Sequence, residues 1–381
     1  MKKVFLISMI IAGVIVMCLA LQAQVLPDST RNSLINAPSA KRAEVRDMVQ
    51  KNYPSLQREL YLSLAEAYPG FTTRFLKSQI RTLKKMDGKA LSRLYLDVAG
   101  DLEKSYEGPA KEFRKEVKTL LTEKYSAVPE DFKKLHEENG LRKSLSAVIN
   151  EKYPQVATDC LTIMKDKYPG LSLTIARDAI DTALKKDPTL FIEMRIEARS
   201  LAQEKYPEVL SALSTQERGP RHFREIMKQN PKFAGALFER IDGKFHSRIK
   251  DLRRTVIAFA IEKHSSEVLS FTEDVLTMVE KKYPDLPRDL VLAAGDWREK
   301  HGKEFKAAHE DFFKDLRAAR DKNFPRLLAD AVASIDTHSP GFRESLRKAA
   351  IGEFPDIEKK VKSFVDKKCP RINEEILKII K

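Results

Sequence analysis

After Pro169 the apolar residues Leu171, Leu173, Ile175, Ala176, Ala179, Ile180, Ala183 and Leu184 recur mostly at intervals of three and four. That period places them on one face of a helix and predicts a segment of about four turns. The same pattern recurs along most of the chain, and each apolar run stops at an aromatic residue followed by proline. The clearest steps are Lys152-Tyr153-Pro154, Lys167-Tyr168-Pro169, Lys205-Tyr206-Pro207 and Lys282-Tyr283-Pro284. Looser versions are Asn52-Tyr53-Pro54, Ala67-Tyr68-Pro69, Asn323-Phe324-Pro325, Glu353-Phe354-Pro355 and Lys368-Cys369-Pro370. Proline suits the first turn of a helix, where its missing N–H costs nothing, and it drives the preceding residue out of the helical region. Each step therefore closes one helix and opens the next. The charges agree: Glu208, Asp285 and Asp356 follow a proline, whereas Lys185-Lys186, Lys281-Lys282 and Lys367-Lys368 precede a step. Acids lie at the positive end of a helix dipole and bases at the negative end.

Spacing reveals a larger unit. Tyr53, Tyr68, Asp87 and Tyr106 are separated by the same intervals as Tyr153, Tyr168, Asp187 and Tyr206, one hundred positions later. Asn230, Phe245, His264 and Tyr283 form a more diverged third set, and Phe324, Ser339, Phe354 and Cys369 a fourth with a shorter interval. The expected fold is all-α: an array of short amphipathic helices, α-solenoid-like, with about four copies of a four-segment repeat. The copies fall near 40–106, 140–206, 217–283 and 311–369, joined by segments that are themselves helical in pattern. A long helix kinked at its prolines is the competing arrangement. Stacking in chain order would give an open array, with the mature cysteines, Cys160 and Cys369, far apart and unpaired. Gln216 to Pro220 is the sharpest break, and residues 24–39 read as a leader.

The N-terminus changes the picture of compartment. Lys2 and Lys3 precede an uncharged apolar stretch, Val4 to Leu21, and Ala23 offers a small residue for cleavage. This pattern predicts a signal peptide over 1–23 and an exported, periplasmic or extracellular product. The apolar stretch is close to the length of a membrane span, so an uncleaved anchor is the alternative. Without Lys2 and Lys3, 67 of the 69 basic residues remain against 55 acids. That excess allows attraction to an anionic envelope polymer or lipid surface, while an export signal argues against nucleic acid as partner.

Candidate chemistry is sparse. The structural landmarks Tyr53, Tyr68, Tyr106, Tyr153, Tyr168, Tyr206, Tyr283, Phe324, Phe354 and Cys369 could serve as stacking platforms. Replacement of the aromatic by cysteine at 369 fits packing volume better than shared chemistry, so these are read as core residues. His301 and His309 flank Glu304, but no histidines pair at the four-residue spacing of a helical metal site. Neither a nucleophile elbow nor a phosphate-cradling glycine loop is present. The expectation is therefore no catalytic residue, metal or cofactor, and a protein partner bound through the helical array. An anionic surface bound by basic amphipathic helices is the alternative.

Overall fold

The computed structural model describes residues 28–214 and 220–380, all of whose regular elements are helical. Residues 1–23, read from the sequence as a signal peptide, and most of the 216–220 break lie outside the described residues. The described residues divide into two compact units: unit 1 holds 28–87, 94–169 and 266–380, and unit 2 holds 88–93, 170–214 and 220–265.

Chain order runs α1 (Asp28–Asn36), α2 (Ser39–Asn52), α3 (Leu56–Ala67), α4 (Phe71–Lys84) and α5 (Gly88–Thr119), which ends in a π-helical turn, Leu120–Lys124. Next come α6 (Val128–Asn139), α7 (Leu141–Lys152), α8 (Val156–Lys167), α9 (Leu171–Lys186), α10 (Leu190–Lys205), α11 (Pro207–Ser214) and α12 (Pro220–Gln229). The long α13 (Pro231–Lys282) is followed by α14 (Leu286–Trp297), a second π turn (Arg298–Gly302), α15 (Lys303–Ala308) and α16 (Glu310–Asn323). The chain finishes with α17 (Leu327–His338), α18 (Phe342–Glu353), α19 (Ile357–Lys368) and α20 (Ile372–Ile380). The stretch read as a leader thus contains α1, whose Thr30 is buried.

The aromatic-proline steps behave as expected. Tyr153 leaves the helical region at φ −134°, ψ 49°. Its N–H still donates to the Ile149 carbonyl at 2.9 Å, while its own carbonyl accepts from Val156 N at 3.1 Å. One residue therefore satisfies an orphan acceptor of the outgoing helix and begins the next one. Three steps carry glycine two positions on, with Gly70, Gly170 and Gly341 at φ 69°, 76° and 79°, a region that only glycine enters cheaply.

The breaks expected at Tyr106, Phe245 and His264 are absent. Tyr106 lies inside α5, and Phe245 and His264 lie inside the 52-residue α13. The physical reason is local: Glu107, His246 and Ser265 follow these residues, so no pyrrolidine ring blocks helical dihedrals. Phe245 and His264 nevertheless keep the buried position of the landmark.

Within unit 1 the halves of the chain pair antiparallel instead of stacking in chain order. Helix α2 packs on α20, α3 on α19, α4 on α18 and α7 on α14. Tyr106 meets Phe324 at 5.8 Å between ring centroids, and Tyr153 meets Tyr283 at 6.0 Å. The principal core contains Leu60, Leu64, Phe71, Phe75, Phe354, Ile357, Val361, Val365 and Cys369. Unit 1 also closes on itself. Helices α3 and α4 touch α14 as well, and Lys77 and Arg81 pair with Glu280 and Glu273 at 2.7 and 2.9 Å. Within unit 1 the helices therefore do not stack in chain order.

Unit 2 is a hairpin of the same kind, in which α9 and α10 lie against the first two thirds of α13. Its cores are Ala183, Leu190, Phe245 and Leu252, and a second cluster around Leu201, Ala202, Val209 and Phe233. Ser92 of the short 88–93 piece donates to the Ala258 carbonyl at 2.9 Å.

Cys160 and Cys369 are both free and buried. Burial pushes the Cys160 thiol up to about 12 and also raises that of Cys369. Because the thiolate is the reactive species, both should resist a thiol reagent in the folded protein and react once it is unfolded. Rapid native labelling of either, or an intrachain bridge found by mass spectrometry, would contradict this arrangement.

Candidate functional site

The landmark residues are brought together in facing pairs, each a small reciprocal device. At the Tyr153–Tyr283 pair the Tyr153 hydroxyl and the Lys152 ammonium both donate to Asp289, each at 2.9 Å. The Tyr283 hydroxyl and Lys282 donate in the same way to Asp159, each at 2.9 Å. Asp159 follows Tyr153 by six residues, and Asp289 follows Tyr283 by six. A step on one helix thus holds the acid in the first turn of the helix opened by the facing step. Tyr125 and Lys124 bind Asp315 at 2.8 and 2.6 Å, and His309 lies 3.4 Å from Asp131. Tyr53 donates to Glu375 at 3.1 Å while Lys368 pairs with Glu59 at 2.7 Å. Tyr106 donates to Asp330, six beyond Phe324, at 2.5 Å.

Electrostatics follow from these contacts. Hydrogen bonds first from Lys282 and then from Tyr283 hold Asp159 below the usual carboxylate range. At Asp289 burial acts upward, but Lys152 and Tyr153 together outweigh it. Burial, reinforced by the Asp274 partner, pushes Tyr168 up to about 12. These groups are matched to one another, and the tyrosines are half-buried, ring inward and hydroxyl at the edge.

The Tyr68–Phe354 pair uses cations instead. Arg74, six beyond Tyr68, lies 4.9 Å from the Phe354 ring, and Lys360, six beyond Phe354, lies 5.3 Å from the Tyr68 ring. The Tyr68 hydroxyl is buried without a hydrogen-bond partner. Replacing Tyr153 with Ala should destabilise by about 3 kcal/mol, and with Phe by about 1–2 kcal/mol for the lost charge-assisted bond. Tyr68→Phe should be neutral or stabilising by up to about 1 kcal/mol, since it removes a desolvated hydroxyl that gains nothing. Equal costs for the two Phe variants in chemical denaturation would sink the distinction.

Tyr168 faces Phe271 and Asp274 in unit 1, and Tyr206 faces Phe233 in unit 2, so all ten landmarks are packing residues of the pairing. Asp187, also at a break, takes a two-pronged bond from Arg248 at 2.6 and 2.8 Å. The acid six residues after a step was missed in the sequence, although its recurrence at Glu59, Asp159, Asp289, Asp315, Asp330 and Glu375 was there to be counted.

A second feature runs against the sequence reading. On α9 only Leu171 and Ala183 are buried, whereas Leu173, Ile180 and Leu184 are exposed. The apolar residues of this helix form two stripes, one inward and one outward. The outward stripe continues on α10 through the exposed Phe191, Ile192 and Ile196. Exposed Arg177, Lys185, Arg195 and Arg199 flank it, with Asp181 within it.

A cavity of about 540 Å³ lies in unit 1 where α3 and α4 meet α14, lined by Tyr61, Glu66, Phe71, Asp285, Pro287 and Arg288 among others. In it the Tyr61 and Thr72 hydroxyls share a hydrogen bond at 3.0 Å, and among the described residues no group of three or more potential ligands could hold a metal ion. No described helix is long and apolar enough to cross a membrane. Comparison with known protein families, curated proteins and solved structures found no match to this chain.

Proposed function

We propose that this is an exported, non-enzymatic helical-array protein that binds a macromolecular partner, a protein above all, in the cell envelope. The observation that carries this reading is the outward stripe of α9 and α10. Monomeric soluble proteins rarely leave a contiguous row of large apolar side chains uncovered, and such rows mark surfaces that another molecule covers. Export rests on the basic, apolar and small-residue order of the first 23 residues. The tyrosine–carboxylate pairs support a structural role for the landmarks, because each hydroxyl and acid is already committed to a partner across the pairing.

An anionic lipid or polymer surface is the second reading, favoured by the basic residues beside the stripe. The two differ in their response to salt. A largely apolar protein interface tolerates added salt, whereas attraction to an anionic surface weakens as the screening length falls. Crosslinking the protein in its native envelope, at low and high salt, should recover one protein partner at both. Recovery of lipid or polymer alone, lost at high salt, would replace the first reading with the second.

A further inference from the structure

The internal duplication supplies its own control for the exposed stripe. Position for position, α4 in the first copy corresponds to α9 in the second, one hundred residues on. Their inward faces match: Phe71 and Leu171 are both buried. Their outward faces do not. Thr73 and Ile80 are 2% and 8% exposed, while Leu173 and Ile180 are 75% and 59% exposed.

What covers the first copy is visible within unit 1. The C-terminal part of α13 lies on the outer side of α4, with Lys77 paired to Glu280, and Arg81 and Lys84 both paired to Glu273. A helix with two acids seven residues apart therefore seats on this face of the repeat. The relation extends past α4: Ser92 is 3% exposed and bonded to α13 within unit 2, whereas its equivalent, Ile192, is 61% exposed.

The second copy keeps the geometry of that seat and makes it more apolar. Thr73 is replaced by Leu173, Lys84 by Leu184 and Ser92 by Ile192, while the cation of Lys77 is kept as Arg177. Leu173, Ala176, Ile180 and Leu184 fall at intervals of three, four and four, the stripe one straight helix would cover. Resting on the reading that the protein binds another protein, we propose that the outer face of α9 and α10 is the docking seat for an amphipathic helix of that partner. That helix places an acid opposite Arg177 and apolar residues along Leu173, Ile180 and Leu184.

The occupant is narrowed by charge and by occupancy. Asp181 stands where Arg81 does, in the middle of the stripe, and a carboxylate there opposes an anionic membrane while leaving room for a helix without an acid at that point. A second copy of this chain cannot lend its own α13 segment, because Glu273 and Glu280 are engaged by its own α4. The acid-edged helix therefore comes from another protein.

The test uses the full chain and a helix-stapled peptide of residues 266–282 carrying Glu273→Leu, which keeps the acid at 280 for Arg177 and removes the one that would oppose Asp181. Saturable binding by fluorescence anisotropy is expected. Ile180→Glu should weaken it at least about tenfold, since the apolar contact is lost and a charge is buried. Arg177→Glu should weaken it by about threefold to fivefold, and a peptide also bearing Glu280→Lys should recover that loss. All substituted positions are exposed, so the fold is preserved, and helical dichroism of each variant checks this.

Absence of binding, or binding indifferent to Ile180→Glu, overturns the proposal. So does an Ile180-dependent dimer in sedimentation, or Ile180-dependent binding to anionic vesicles, because either assigns the face to a different occupant. If the native-envelope crosslink to a protein survives Ile180→Glu undiminished, the partner sits elsewhere and the seat fails while the wider proposed function stands. If no protein crosslinks at all, the wider reading fails instead.

Discussion

Replacing Phe354 with Ala should cost about 4 kcal/mol, the largest effect expected of any single landmark. Phe354 is fully buried, with Tyr68 at 5.1 Å and Phe71 at 5.0 Å between ring centroids, and the Arg74 guanidinium over its face. It also belongs to the core shared by α3, α4, α18 and α19. Truncation removes the ring's transfer free energy and leaves a cavity that neighbours held by proline steps can only partly fill. It also strips Arg74 of its cation–π contact. Phe354→Leu, which keeps most of the volume, should cost well under half as much. The measurement is denaturant unfolding of the full chain, and a loss below about 1 kcal/mol for the Ala variant would show that the two halves do not pair through this residue.

Raising the pH through the range from about 10 to 12 should unfold the protein cooperatively. Tyr53, Tyr68, Tyr106, Tyr125, Tyr153, Tyr168 and Tyr283 all have hydroxyls held above the ordinary tyrosine value. Burial is the first cause at each, and at all but Tyr68 a hydrogen bond to a facing carboxylate adds to it. Tyr106 and Tyr168 are pushed up to about 12. A group whose folded value lies above its unfolded value near 10 binds its proton more tightly in the native state. Its contribution to stability is complete below the unfolded value and is lost as pH rises through the folded one. Ionisation also turns a donor facing a carboxylate into a second negative charge, so each pair changes from attraction to repulsion. Tyrosinate absorbance and the loss of helical dichroism should therefore rise together. Independent titration near pH 10 with the helices intact would contradict the paired geometry.

The order of helices was legible because its causes are local. A 3.6-residue apolar period, a proline that excludes the preceding residue from helical dihedrals, and basic residues closing each segment all act within a few positions. The same reasoning explains its failures. Phe245, His264 and Tyr106 share the spacing of the steps, but without a following proline nothing interrupts the backbone hydrogen bonds, and α13 and α5 run through them. Spacing recorded the recurrence of the landmarks, and a following proline recorded the breaks among them, except at Asp87, where Gly88 follows.

By itself the sequence determined the all-helical architecture, the positions of the proline steps and the first-to-second-copy correspondence. Tertiary structure decided which helices meet: Tyr53 across from Glu375, Tyr153 across from Tyr283, and α4 held between α18 and the end of α13. In one dimension the outer positions Thr73 and Lys77 of α4 read as facing solvent and Leu173, Ile180 and Leu184 of α9 as covered, the reverse of what the fold shows. Only complementary side chains far along the chain, Glu273 and Glu280 for Lys77, Arg81 and Lys84, distinguish the covered copy from the bare one. Such long-range matches carry no local period. That is why the exposed face of α9 became visible only when the chain was folded.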